Sequence, residues 1–320
     1  MIKKPTFWDY KKPNLISFFL IPFTIPIIVN NFLNSLKKNS YFSKTKKKYE
    51  IKTICVGNIY IGGTGKTPIA IKINQILSNL NYRTVFIKKN HTESFDEEKL
   101  LKKHGRVLSG PKRIETLIQA NKDNDVAIFD DGLQDVTINY DLKFVCFNTK
   151  NFIGNGMLIP AGPLREKINS LKNYDAVILS GNNENSDQAI TIIKKYNKDI
   201  KIFQSTYTLE NIDKIDKKGK YVAFAGIGNP NNFYTTLINS NFNIVEFLGY
   251  PDHKLYSDSD IKKIVSIAKT LDAKILTTEK DYLRLEILKD YDLLKNIQYI
   301  KMNLQFNDED KFISFIKSAI

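Results

Sequence analysis

The stretch Ile51-Lys52-Thr53-Ile54-Cys55-Val56-Gly57-Asn58-Ile59-Tyr60-Ile61-Gly62-Gly63-Thr64-Gly65-Lys66-Thr67 decides the fold. Ile51 to Val56 has the length and composition of a buried strand, and Ile69 to Leu80 carries helical periodicity. A glycine-rich turn between strand and helix is the arrangement of a phosphate-binding loop. Its backbone N–H groups face phosphate oxygens, the helix start adds its positive dipole end, Lys66 supplies a mobile charge, and the Thr67 hydroxyl can reach Mg²⁺. The expected ligand is therefore a nucleoside triphosphate cradled by Gly62, Gly63, Thr64, Gly65, Lys66 and Thr67. The strict spacing wants a glycine five residues before Gly65, where this chain has Tyr60, and the nearest earlier glycine is Gly57. A plain strand-to-helix turn is the competing reading; Gly-Lys-Thr between an apolar strand and a helical pattern weighs against it.

A second element supports the first. Val126-Ala127-Ile128-Phe129 is an apolar run ending in Asp130-Asp131, as when a neighbouring strand presents carboxylates to phosphate-bound Mg²⁺. Taken alone, the pair also reads as a turn or a helix cap. Strand-like runs near 51–56, 84–88, 125–129, 143–147, 174–179 and 200–206 alternate with helical segments near 67–80, 111–121 and 187–197. This predicts an α/β, P-loop NTPase-like body: a mostly parallel sheet with helices on both faces. Glu210 to Lys220, with seven charged residues and Gly219, interrupts the pattern. It restarts with strands at Tyr221–Ala225, Ile244–Leu248 and Lys274–Thr277, and with helices from about 230, over 258–270 and up to Ile320. The expected domains are an N-terminal membrane-associated helix over 1–40, a nucleotide-binding domain over 41–210 and a second, smaller α/β domain over 211–320.

The 320 residues, 42% hydrophobic and 26% charged, describe an ordinary folded body. The net charge of +14 is unevenly placed: residues 1–50 hold ten lysines against Asp9 and Glu50. A nucleic-acid protein would spread basic and aromatic residues over one face, so no nucleic-acid partner is expected, and no protein partner is evident. Basic residues flanking an apolar segment point instead to an anionic membrane surface. Leu15 to Leu36 has no charge and is bracketed by Lys11, Lys12, Lys37 and Lys38. Pro22 and Pro26 argue against a spanning helix, and Ser17, Thr24, Asn31 and Ser35 give it a wet or protein-facing stripe. The reading is a monotopic anchor with Trp8 and Tyr10 at headgroup level; the alternatives are a buried core helix and a signal peptide, against which stands the lack of a small-residue cleavage site. Lys44 to Lys48 reads as a solvated linker. Cys55 and Cys146, both in strand-like runs, are expected to be buried thiols in a reducing cytoplasm.

The segment Gly154-Asn155-Gly156-Met157-Leu158-Ile159-Pro160-Ala161-Gly162-Pro163-Leu164-Arg165-Glu166 is too unusual for a generic turn. With Val56-Gly57-Asn58, Asp130-Asp131-Gly132-Leu133-Gln134, Ala225-Gly226-Ile227-Gly228-Asn229-Pro230, Tyr250-Pro251-Asp252-His253 and Thr277-Thr278-Glu279-Lys280-Asp281, it closely resembles the tetraacyldisaccharide 4′-kinases, the lipid A kinases of Gram-negative bacteria, over essentially the whole chain. The resemblance implies transfer of the ATP γ-phosphoryl group, with Mg²⁺, to the 4′-hydroxyl of a tetraacylated disaccharide 1-phosphate at the cytoplasmic face of the inner membrane. Ser94-Phe95-Asp96-Glu97-Glu98 looks like the family's Gly-Asp-Glu segment, which implies Asp96 as proton acceptor supported by His253. It further implies Thr67, Glu97 and Asp131 as Mg²⁺ ligands, Lys66 and Arg165 as phosphate-neutralising charges, and Glu166 as a group that orients Arg165 or touches the metal. Read without the resemblance, Asp96-Glu97-Glu98 is the acidic first turn of a helix and His253 a structural residue, with His91 and His104 on the surface.

The chain departs from the family in two places. Lys88-Lys89-Asn90-His91 replaces Ser-Arg-Gly-Tyr and its glycine-containing loop, and Gln134-Asp135 replaces Gln-His. Another P-loop kinase or ATPase at the membrane surface is the alternative function.

Overall fold

The computed structural model describes residues 4–44, 49–90, 95–181, 186–288 and 294–320. Of the basic run Lys44 to Lys48, only Lys44 falls within them; His91 and Ser94 also lie outside. The chain forms two compact units: Met1–Asn90, His104–Thr206 and Phe306–Ile320 in the first, and His91–Lys103 and Tyr207–Gln305 in the second.

The helices are α1 (Leu15–Phe19), α2 (Ile25–Lys44), α3 (Lys66–Asn79), α4 (Phe95–His104), α5 (Arg113–Ala120), α6 (Ser186–Tyr196), α7 (Pro230–Asn239), α8 (Asp258–Thr270), α9 (Glu279–Leu285) and α10 (Glu309–Ala319). The strands are β1 (Lys52–Gly57), β2 (Thr84–Lys89), β3 (Val107–Gly110), β4 (Val126–Asp130), β5 (Leu142–Asn148), β6 (Ala176–Ser180), β7 (Lys201–Leu209), β8 (Lys220–Ala225), β9 (Asn243–Gly249), β10 (Lys274–Thr278), β11 (Ile297–Ile300) and β12 (Met302–Phe306).

The larger sheet has the order β12-β7-β6-β5-β1-β4-β2-β3, and the strands from β7 to β3 run parallel. Its strands read as unbroken apolar runs because both faces are covered. Cys55, Phe129 and Val145 share one face, under Leu117 and Ala120 of α5 and Ala189 and Ile193 of α6. On the other face α10 seats Phe312 against Phe144 and Phe203, and α3 buries Ile69, Ile73 and Leu77. The strand order reverses at β1, which lies between β5 and β4, and a crevice for a ligand opens beyond the carboxyl ends of strands at such a point. Val56 of β1 is in register with Asp130 of β4, so the glycine loop and the Asp130-Asp131 pair leave the sheet side by side.

In the second unit the smaller sheet, β11-β10-β8-β9, is also parallel. Alternate residues of β8 point to opposite faces: Tyr221, Ala223 and Ala225 pack with Phe233 and Leu237 of α7, while Val222 and Phe224 pack with Ile261, Ile264 and Ala268 of α8.

These units are discontinuous in sequence, unlike the linear division into 41–210 and 211–320. Phe312 of α10 stacks on Phe306 and packs with Phe144 and Phe203, so the last fifteen residues belong to the first unit. Residues 95–103 join the second through the Asp96–Arg284 and Lys103–Glu279 pairs.

The N-terminal segment is not one helix. α1 ends at Phe19, a 3₁₀ turn covers Ile21–Thr24, and α2 starts at Ile25, with Pro22 and Pro26 at the joints because proline has no N–H to continue the ladder. Among the described residues no helix is long and apolar enough to cross a membrane. Three of the four stripe residues face protein, since Ser17 and Thr24 are buried and Asn31 donates to the Arg165 carbonyl, while Ser35 is exposed. The apolar side faces outward, with Leu15 at 78%, Phe19 at 80%, Phe23 at 66% and Phe32 at 62% exposure. Trp8 departs from its expected headgroup position: it is buried, and its Nε1 donates to the Pro160 carbonyl at 3.0 Å. Tyr10 is exposed.

Candidate active site

In the first unit the turn after β1 is braced from within: the Asn58 amide donates to Thr64 Oγ1 at 2.8 Å and to the Gly62 carbonyl at 3.3 Å. Gly65 caps α3 in the left-handed region (φ 80°), which a side chain would strain, and so aims the first N–H groups of α3 outward. The irregular spacing at Tyr60 has a physical account. Tyr60 bridges Leu164, and its ring is buried among Leu158, Leu164 and Ile27, so this position belongs to the wall behind the turn.

Thr67 Oγ1 donates to Asp130 Oδ2 at 3.0 Å, and the buried Lys88 ammonium lies 2.9 Å from that same oxygen. Asp130 Oδ1 is buried and has no hydrogen-bond partner. Asp131 adopts φ 59°; its carboxylate takes Arg165 Nη1 at 3.1 Å and lies 3.8 Å from Lys66 Nζ. Its carbonyl accepts from Arg113 Nη2 at 2.7 Å. Gln134 links the remaining groups, donating to the Asn58 carbonyl at 3.0 Å and Glu166 Oε1 at 2.9 Å while accepting from Arg165 Nη1 at 3.3 Å. Tyr174 holds Glu166 Oε2 at 2.8 Å. Asp135 accepts from the Thr137 backbone and hydroxyl and lies 3.7 Å from Arg113, so it braces a turn.

The structure thus brings Lys66, Thr67, Asp131, Arg165 and Glu166 into one constellation and adds Asp130, Lys88, Arg113 and Gln134. Asp131 is the member of the pair expected on Mg²⁺, and the structure sets its neighbour Asp130, in register with Val56 near the end of β1, against the Thr67 hydroxyl. Lys88, read only as a departure, is the cation for Asp130. Cys55 and Cys146 are free and buried, and burial pushes both thiols well above their ordinary range.

In the second unit, Asp96, Glu97 and Glu98 form the first turn of α4, so the helix-start reading holds for their position. Asp96 is nonetheless only 3% exposed. Its Oδ2 accepts from Arg284 Nε at 2.8 Å and Nη2 at 2.6 Å and lies 3.5 Å from Lys280, while Oδ1 faces His253 Nδ1 at 3.5 Å. Burial would raise this carboxyl, but the nearby His253 imidazole and the charges of Lys280 and Arg284 outweigh it and hold the group well below the usual carboxylate range. His253, at φ 55°, is part-exposed, with Nε2 3.6 Å from Glu97 and 3.8 Å from Asp252. Glu97, expected among the metal ligands, binds Lys280 at 3.0 Å.

Arg284 went unnoticed in the sequence because an arginine inside a helix carries no signature of burial. Its Nη1 reaches the Gly226 carbonyl and Asp281 Oδ1, and Asp281 also accepts from Gly226 N–H, Tyr256 OH and Thr278 Oγ1. Three motifs that looked separate therefore meet in one buried network.

A parallel sheet with a glycine turn after a central strand, Lys and Thr opening the next helix, and a carboxylate ending the adjacent strand define a P-loop nucleotide-binding protein. The family model described as tetraacyldisaccharide-1-P 4′-kinase matches residues 16–94 and 87–320. A tetraacyldisaccharide 4′-kinase of Pelagibacter ubique is 49% identical over 309 residues, covering 96% of this chain and 95% of its own. That of Rickettsia canadensis is 34% identical, covering 95% and 93%. In fold, the chain is similar to the LpxK of Aquifex aeolicus crystallised in complex with ATP, with a TM-score of 0.70 at 23% identity, covering 95% of this chain and 99% of that one. This chain belongs to the tetraacyldisaccharide 4′-kinase family and is a kinase, a phosphotransferase with an alcohol group as acceptor.

Proposed function

We propose that the protein transfers the γ-phosphoryl group of ATP to the 4′-hydroxyl of a tetraacyldisaccharide 1-phosphate, in lipid A biosynthesis at the cytoplasmic face of the inner membrane. One observation carries this reading: a phosphate-binding turn and an outward apolar face belong to the same unit. A lipid-directed kinase needs both, because acyl chains held in a bilayer keep the sugar at headgroup height. Basic residues beside the apolar face, such as Lys11, Lys12 and Lys37, suit anionic lipid.

The first unit serves the phosphoryl donor. Backbone N–H groups of the turn, with Lys66, hold the phosphates, and Arg165 neutralises charge on the group in transfer. Thr67, Asp130 and Asp131 would hold Mg²⁺: they are hard oxygen donors, and the unpartnered Oδ1 of Asp130 marks a place for a cation. Among the described residues no three His, Cys, Asp or Glu side chains form a metal cluster, and Mg²⁺ at such sites takes its other ligands from phosphate and water. When bound, Mg²⁺ neutralises the phosphate charge that grows in transfer. Glu166 acts through Gln134 and Arg165. The second unit serves the acceptor: Asp96 with His253 accepts the hydroxyl proton as its oxygen attacks phosphorus.

Two measurements test the reading. Incubated with ATP, Mg²⁺ and the disaccharide 1-phosphate, the purified protein should yield a lipid heavier by one phosphate; ATP hydrolysis without that product would reject the acceptor. The protein should also sediment with vesicles containing anionic phospholipid, and a variant lacking residues 1–36 should not.

A further inference from the structure

We infer that Asn31, on the helix read as the membrane anchor, is a positioning residue for Arg165, and that the anchor is therefore a working part of the phosphate site. The inference rests on the role given to Arg165 above.

Arg165 is pinned at both ends of its backbone. Its N–H donates to the Ile59 carbonyl at 2.7 Å, in the segment between β1 and the phosphate turn, and its carbonyl accepts from Asn31 Nδ2 at 2.9 Å. Between these two bonds the side chain leaves toward Asp131 and Gln134. Ile27, one turn before Asn31 on the same face of α2, packs against Tyr60, Leu158 and Leu164, so the face that carries Asn31 is held against the protein one turn before the amide.

The rest of the N-terminal segment holds the same loop. Trp8 donates to Pro160, the Asn155 backbone donates to the Trp8 carbonyl at 3.0 Å, and the Asn155 amide reaches Ser17 Oγ at 3.0 Å. Gly154 sits at φ 56°, where a Cβ would lie 2.1 Å from the Trp8 carbonyl oxygen, so the close approach of the two segments requires glycine there. Tyr60 OH donates to Asp9 at 2.6 Å, and Lys4 contacts both. Residues 154–166 thus lie between the approach to the phosphate turn and the N-terminal segment, bonded to each. Membrane attachment alone asks nothing of this kind: an anchor needs an outward apolar face, whereas these bonds fix the position of a guanidinium.

The test compares Asn31→Leu and Asn31→Asp, near in size and both without the donor, with Arg165→Ala and with Asn31→Leu/Arg165→Ala. Lipid phosphorylation is measured in mixed detergent micelles at saturating lipid, alongside vesicle sedimentation and thermal midpoint. Both Asn31 variants should lose about tenfold in kcat, as displaced catalytic groups do, while the KM for ATP stays within about twofold. Asn31→Leu should still sediment with vesicles and keep its thermal midpoint. In the Arg165→Ala background, Asn31→Leu should cost nothing further, because its effect passes through that side chain. Native kcat in Asn31→Leu, a loss confined to vesicle binding, or losses that multiply with Arg165→Ala would each overturn the inference while leaving the kinase reading intact. Native activity in Arg165→Ala would instead remove the role of Arg165, and the inference with it.

Discussion

The two charged clusters of the molecule treat their carboxylates in opposite ways. In the first unit, Asp131 is one-third exposed, Lys66 reaches it only at 3.8 Å, and Asp130 keeps a buried oxygen without a partner. In the second, Asp96 and Arg284 are closed against each other at 2.6 Å with side chains 3% and 2% exposed, and Arg284 Nη1 is taken by Asp281 and the Gly226 carbonyl. The open cluster keeps a carboxylate oxygen unpartnered, whereas the closed one is satisfied by the chain's own groups. Substitution should therefore remove chemistry from the first with little effect on folding, and should disturb both in the second.

The largest effect is expected at the open cluster. Lys66→Ala, which removes a positive charge from the phosphoryl group in transfer, should cost on the order of 10³–10⁵ in kcat, and Thr67→Ala should also abolish useful turnover. Circular dichroism and thermal midpoint should stay native for both. Near-native turnover in a folded Lys66→Ala protein would mean that the turn does not serve phosphate.

Next comes the Asp96–His253 pair. Asp96→Ala should lose about 10²–10⁴ in rate with ATP affinity nearly unchanged, the range of a positioned general base. Adding His253→Ala should cost much less than the product of the two single defects, since groups that act as a unit fail together. Multiplicative losses would separate the two residues and turn attention to Glu97, which also faces the imidazole.

The contrast between the clusters also explains what was legible in the sequence. The open site is read from backbone devices with short-range signatures: a glycine turn, Lys-Thr at a helix start, a carboxylate pair ending an apolar strand. Strands β1, β2, β4, β5 and β6 and helix α8 fall within two residues of their expected bounds because burial on both faces, or a capping box, leaves a clear pattern. What escaped was long-range. The buried partnerships of Lys88 and Arg284 couple residues 42 and 188 positions apart. Equally hidden was the discontinuity of the units, which follows from where Phe312 and Asp96 find partners. β3, four residues long with none of the usual apolar run, was also missed. The polar stripe Ser17, Thr24 and Asn31 was visible as a stripe, but its protein-facing direction was not, and Trp8 was misplaced for the same reason.

Arg284→Met replaces the guanidinium with a side chain of similar length and leaves Asp96 and Asp281 without their shared cation. A buried pair broken from one side typically costs about 3–5 kcal/mol, which a shift in the denaturant midpoint would report. Arg165→Met, at the part-exposed cluster, should cost less than about 1 kcal/mol. Equal destabilisation of the two variants would erase the distinction between an open and a closed cluster.

The smallest effect is electrostatic and lies at the start of α8. Ser257 and Asp260 form a capping box: the Ser257 hydroxyl accepts from the Asp260 N–H at 3.2 Å, while Asp260 Oδ2 accepts from Ser257 N–H at 2.9 Å. Lys254 adds its ammonium at 2.9 Å. The hydrogen bond from Lys254 and then those from Ser257 pull the Asp260 carboxyl down to about 2. Because this value is depressed on folding, the stability it brings is complete above the unfolded value near 3.8 and fades as pH falls toward 2. The group is near solvent, so screening limits the contribution to about 1 kcal/mol. Asp260→Asn keeps acceptors for Ser257 but removes the charge. Its stability deficit by chemical denaturation should be about 1 kcal/mol at pH 7 and should narrow between pH 4 and pH 3, whereas a deficit that does not vary with pH would assign the loss to packing instead of charge.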